Sequence, residues 1–173
     1  PLLVLSLATG AALIFRPTAA LLFGPGAAAQ IDRSLAEPTP RAAKVAGRLN
    51  WAAMIEKGRQ RFPEAEVRSL NLPRQGNGLI TLRMRSLEEW LPNGRTTLWF
   101  AADSGALVAA RDARKLPPAA RGYNLLYPLH AAKVGGFPYR LAMTLSGLSL
   151  TLLGTLAVWV FWFRRLASAR GSG

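Results

Sequence analysis

The chain has 173 residues, 50% of them apolar, with 22 Lys and Arg against nine acidic residues, one histidine and no cysteine. That length suits one small domain with accessories, and the lack of cysteine excludes a disulfide scaffold, a thiol nucleophile and a cysteine-ligated metal. A formal net charge of +13 on a half-apolar chain excludes an ordinary disordered basic tail and leaves nucleic-acid binding and membrane insertion, which differ in where the charges sit.

Residues 1–15 are apolar and uncharged, and Arg16-Pro17 interrupts them before Leu21-Leu22-Phe23. Fifteen residues fall short of the roughly 20 that a span needs, and the basic n-region of a signal peptide is absent. Residues 1–23 therefore read as the later part of a first transmembrane helix whose start lies outside this sequence, with Arg16 snorkelling at its exit. Pro25, Pro38 and Pro40, with alanines between, give 24–44 the composition of an extended linker.

A small α+β unit is expected over 45–112. Trp51, Met54, Ile55, Gly58 and Phe62 share one face at helical spacing, with Asn50 as N-cap, Lys57, Arg59 and Arg61 at the cationic end, and Pro63 as stop. The period then changes to two. Ile80, Leu82 and Met84 alternate with Thr81, Arg83 and Arg85, and Thr96, Leu98 and Phe100 alternate with Arg95, Thr97 and Trp99. Turn residues at 76–78, 92–94 and 103–105 separate these strands, and further strands near 65–72 and 106–110 complete a meander. One helix on about four antiparallel strands, without disulfides, is a marginal core. It is expected to lean on the membrane helices or on another subunit.

Residues 113–140 read as an interfacial connector, in which Tyr123, Tyr127 and Tyr139 serve as anchors around His130. Leu141–Phe163 is free of charge and long enough to cross a bilayer, with Trp159 and Trp162 as an aromatic belt before Arg164-Arg165. The short arginine-rich tail, 164–173, should be cytoplasmic by the positive-inside rule. Both ends are then inside and the central domain outside, periplasmic in a Gram-negative cell. Gly147, Thr151, Gly154 and Thr155 form a small-residue face suited to contact with the first helix or a partner, unless it simply meets lipid.

Few residues suggest chemistry. His130 alone reads as an interfacial imidazole. Glu88-Glu89 are adjacent and read as a solvated strand end, and no serine has a base in a nucleophile pattern. Gly76-Asn77-Gly78 reads as a turn, lacking the context of a phosphate cradle. Arg83, Arg85 and Arg95 form a basic strip on the exposed sheet face. It is either simply solvated or attractive to anionic headgroups or an acidic partner. Nucleic-acid binding lacks a motif and faces the wrong compartment.

The order of these elements resembles the PepSY-associated transmembrane family. Three stretches carry the likeness: Phe100–Leu107 with its Asp-x-Gly turn, Leu129-His130 followed by Gly135-Gly136 and Arg140, and Gly147–Arg165. The Leu-Ser-Leu-Ala-Thr-Gly-Ala run from Leu5 extends it over nearly the whole chain. The sequence departs from the family pattern at Ala132, where a glycine is frequent, in the order Gly154-Thr155, and in having fewer helices than many members. The residues themselves call for no cofactor. The resemblance implies haem b with His130 as an axial ligand, Met143 being the other nearby donor, and thus a role in ferric-siderophore reduction. It also implies, for some members, modulation of an extracytoplasmic peptidase. The reading preferred here is a non-catalytic accessory subunit, membrane-anchored through a bilayer-spanning helix and associated with other integral membrane subunits in the bacterial inner membrane.

Overall fold

A computed structural model describes residues 2–39, 44–73 and 78–170, with side chains described as far as Phe163. In chain order the helices are α1 (Leu2–Ile14), α2 (Ala19–Phe23), α3 (Ala27–Leu35), α4 (Trp51–Arg61), α5 (Pro118–His130) and α6 (Gly136–Arg170). The strands are β1 (Ala65–Asn71), β2 (Leu79–Ser86), β3 (Thr96–Ala101) and β4 (Leu107–Arg111).

The α+β unit forms from the expected pattern. The four strands make one antiparallel sheet in the order β1-β2-β3-β4. Leu82 stands opposite Leu98, and Ile80 opposite Phe100. The even positions of β2 and β3 thus share a face, and α4 covers it. Met54, Phe62, Ala65, Ile80, Leu82, Met84, Leu98, Phe100 and Ala102 make one buried cluster. The Asn50 side chain accepts from the Ala53 amide at 2.9 Å, capping α4 as its position suggested. Gly94 closes the β2–β3 turn at φ 65°, where a Cβ would overlap the Met84 carbonyl, so only glycine fits. Of the Gly76-Asn77-Gly78 turn, the first two residues lie outside the described residues.

Glu89 has a larger part than a solvated strand end. Its carboxylate accepts from the amides of Ser86 and Arg95 and from the Thr96 hydroxyl, tying the two ends of the β2–β3 connection together. Glu88 is exposed, as expected.

The flanking segments differ from expectation. No single helix runs over 1–23: Phe15 leaves helical geometry at φ −124° and ψ 92°, and a short 3-10 turn carrying Pro17 separates α1 from α2. Part of the expected linker 24–44 is α3, and nearly half of the expected connector 113–140 is α5. These helices build a second core from Ala12, Ala19, Ala27, Ile31, Ala119, Tyr123 and Leu126. Ala113, Leu116 and Ala120, with Leu35 against them, form a small third cluster between the sheet edge and these helices. The sheet therefore leans on helices of its own chain.

Among the described residues, one helix is long and apolar enough to cross a membrane. The span Gly136–Phe163 has 28 residues, about 42 Å at the usual helical rise against a hydrocarbon layer of roughly 30 Å. Every residue from Gly147 to Phe163 is exposed within the chain. α1, at 13 residues, is apolar but shorter, and its Thr9 and Ala12 are buried in protein.

Candidate functional site

The end of α5 is built as a Schellman cap. The Lys133 amide donates to the Pro128 carbonyl at 2.8 Å, and the Ala132 amide to Leu129 at 3.2 Å. The motif requires a left-handed residue, and Ala132 takes it at φ 48°. Two bonds then fasten the start of α6 to this cap: the Tyr139 hydroxyl donates to the Leu129 carbonyl at 2.9 Å, and Arg140 Nε donates to the Ala132 carbonyl at 3.2 Å.

His130, the last residue of α5, turns its ring onto α1. Its Cε1 lies 3.0 Å from where a Cβ on Gly10 would stand, so glycine there lets the imidazole approach the α1 backbone. Its Nδ1 is 3.1 Å from Thr9 Oγ1. The Thr9 hydroxyl has one proton, and the Leu5 carbonyl at 2.7 Å takes it. The hydroxyl is therefore placed to accept from His130 Nδ1–H, the arrangement in which a neutral ring carries its lone pair on Nε2. Two of the stretches that carry the family likeness, the Thr9-Gly10 pair and Leu129-His130, thus meet in space.

His130 lines an open cleft of about 550 Å³ with Ser6, Lys133, Arg140, Met143 and Thr144, where α1, α5 and α6 converge. The chain has one histidine and no cysteine. The cleft thus offers one imidazole nitrogen and one thioether, and it does not make a bis-histidine haem site. A second imidazole would have to come from outside these 173 residues.

The basic strip is rearranged by the fold. Arg83 remains on the open sheet face, but Arg85 Nε donates to the Glu89 carbonyl at 3.0 Å. Arg95 Nε donates to Asn124 Oδ1 of α5 at 3.0 Å. Burial, with Arg83 and Arg111 nearby, pushes the Arg95 guanidinium down to about 10. Arg111 completes the cluster and lies 4.6 Å above the Trp99 ring, with its Nη1 on the Ser34 carbonyl. Burial first, then Arg83, lowers its pKa, while Glu37 opposes the shift. Arg111 could not be picked out from sequence because it sits at the last position of a short strand without clean alternation.

Of the expected interfacial anchors, Tyr123 is corrected: it is buried in the helical core, with the Arg16 guanidinium 6.0 Å from its ring. Tyr127 is exposed, and Tyr139 is held by its bond to α5. Trp159 and Trp162 lie on the bare part of α6, Trp159 tilted against Phe163 at 4.5 Å between centroids. Gly147, Thr151, Gly154 and Thr155 are exposed, and nothing stands within 4 Å of a Cβ at either glycine. The two threonine hydroxyls donate back to the carbonyls four residues earlier. Helix α1 does not cover this face; it reaches α6 near Met143.

Fold and site together define an α+β protein whose sheet and helical core are joined, through a capped histidine, to one bare apolar helix. The chain belongs to the family described as the PepSY-associated TM region, which matches residues 1–165. No curated protein matches it individually. Its place is accordingly in a membrane.

Proposed function

We propose that the chain is a membrane-anchored accessory subunit, holding its PepSY-like module, residues 45–112, outside the cytoplasm and binding other integral membrane subunits through α6. One observation carries this reading. A span of 28 residues leaves its small-residue face uncovered by the rest of the chain, at the positions where close helix approach is easiest. The short α1 and the His130 junction then act as a bracket that sets the angle between α6 and the soluble core. The inner-membrane setting, with α1 as a second membrane-embedded helix and the arginine-rich end cytoplasmic, belongs to this proposal. Native mass spectrometry of the protein extracted in mild detergent tests it. A fixed-ratio complex with another integral membrane protein is expected; a chain found only by itself would sink the idea.

A second reading rests on the tautomer of His130. With Nδ1 held by Thr9, Nε2 is the nitrogen left to ligate, so His130 would supply one axial position of a haem b completed by a partner. That would make the complex one of electron transfer, such as ferric-siderophore reduction. The test is an absorption spectrum of the complex, oxidised and dithionite-reduced. A reduced α-band that disappears in His130→Ala supports haem, and a colourless complex refutes it. No observation favours peptidase modulation.

A further inference from the structure

The sheet face away from α4 carries a site that the helical junction does not use. Ser69 of β1, Arg83 of β2, Thr97 of β3 and Arg111 of β4 are register partners in turn, one row across the whole sheet. Asn71, Thr81 and Trp99 form the next row. These rows floor a polar cavity of about 450 Å³, with Glu37 and Asn93 on its wall. That volume lies within the roughly 300–1,000 Å³ of small-molecule sites. Arg83 and Arg111 flank Thr97, two strand spacings or about 10 Å apart at the backbone.

The cavity holds more positive charge than the chain neutralises. All nine acidic residues fall among the described residues. None forms an ion pair with Arg83, Arg95 or Arg111; the pairs among the described residues join Arg16 to Asp32, Arg68 to Glu66, and Arg114 to Glu64 and Asp112. Glu37 is the one carboxylate on the wall. Two buried donors, Arg111 Nε and Trp99 Nε1, have no hydrogen-bond partner. An enclosed guanidinium N–H without a partner is unfavourable unless an acceptor completes it, although Arg111 as a whole is only half-buried.

We propose that this cavity binds an oxyanion, the carboxylate or phosphate group of a ligand, between Arg83 and Arg111 above Thr97. The guanidinium fork matches both groups bidentately, and the unpartnered Arg111 Nε adds a donor, whereas the Thr97 hydroxyl donates its proton to the Arg95 carbonyl. Arg95, adjoining the row, strengthens the field, though Glu89 offsets part of its charge. Glu37 is the internal competitor: it weakens binding by partly neutralising Arg111. This site is independent of the accessory reading, and the two fail in separate experiments.

The test is calorimetric titration of the full chain in phosphatidylcholine nanodiscs with citrate, and separately with inorganic phosphate, at ionic strength fixed by sodium chloride. Saturable one-to-one binding of at least one probe is expected. Arg83→Gln and Arg111→Gln should each weaken it about tenfold or more, the loss of a charge-assisted pair. Glu37→Gln should tighten it, and Arg85→Gln, whose guanidinium is engaged at the Glu89 carbonyl, should leave it unchanged. Circular dichroism establishes that each variant is folded, and Arg83→Gln decides the matter if Arg111→Gln is not. Repeating the titration in phosphatidylglycerol nanodiscs separates the sources. Binding lost there identifies a lipid headgroup as the oxyanion donor, and binding retained identifies a soluble ligand. No saturable binding of either probe, or equal affinity in wild type and both arginine variants, overturns the proposal.

Discussion

Ala132 occupies a backbone conformation that costs an L-residue with a Cβ roughly 1–2 kcal/mol, and it does so because the cap joining α5 to α6 needs that turn. The frequent family glycine at this position has its reason here. Ala132→Gly is expected to raise stability by about 0.5–1 kcal/mol, the relief of strain less the added chain entropy of glycine; the midpoint of denaturant unfolding reads it. A neighbouring glycine behaves oppositely. At Gly10 even a Cβ stands 3.0 Å from the His130 ring, so Gly10→Val should push the imidazole off Thr9 and cost about 1–3 kcal/mol of overpacking. Loss of the Thr9–His130 hydrogen bond, followed by NMR of the single imidazole, checks that the damage is local. Glu88 and Glu89 make a third contrast. Glu89→Ala leaves two strand-end amides and a hydroxyl without their acceptor and should cost about 1–3 kcal/mol, while Glu88→Ala should fall within about 0.5 kcal/mol of wild type. Unfolding of the pair side by side separates a carboxylate that organises the β2–β3 connection from one that is merely solvated.

At the scale of elements, legibility followed side-chain size. The strands and α4 announced themselves through large apolar residues at period two or 3.6, and Asn50 marked the helix start. α3 and α5 gave little signal because several of their buried positions are alanine: Ala27, Ala119 and Ala120 read as neither core nor surface in a sequence pattern. The prolines of 24–44 pointed to a linker, yet Pro25 precedes α3 and Pro38 follows it, so they bound the helix without interrupting it. Ile31 is the one large residue that α3 places wholly inside. Ile31→Ala is therefore expected to cost about 2–5 kcal/mol. Hydrogen exchange should show Ala27–Leu35 losing protection while β2 and β3 keep theirs. The site was legible in the same uneven way. A lone histidine draws the eye, but Thr9 and Gly10 are ordinary residues of an apolar run, and only packing brings them to His130.

For the whole molecule, the high charge and the apolar content separate along the chain, with arginines on the sheet and no charge on the helix from Leu141 to Phe163. The helix is the part that the chain does not complete. Every other helix buries residues against its own chain, whereas α6 is exposed along its length from Gly147 to Phe163. If lipid alone covered that face, leucine at Gly147 and Gly154 would be harmless, since open space surrounds both positions. If another helix lies there, the same substitutions hold the backbones apart by the width of a side chain, and membrane association, which relies on close packing, weakens. Gly147→Leu combined with Gly154→Leu is thus expected to leave the unfolding of the sheet and the His130–Thr9 contact unchanged, because neither is near these residues. It should abolish the fixed-ratio complex in native mass spectrometry. An intact complex carrying both leucines would show that this face meets lipid and that α6 is an anchor only.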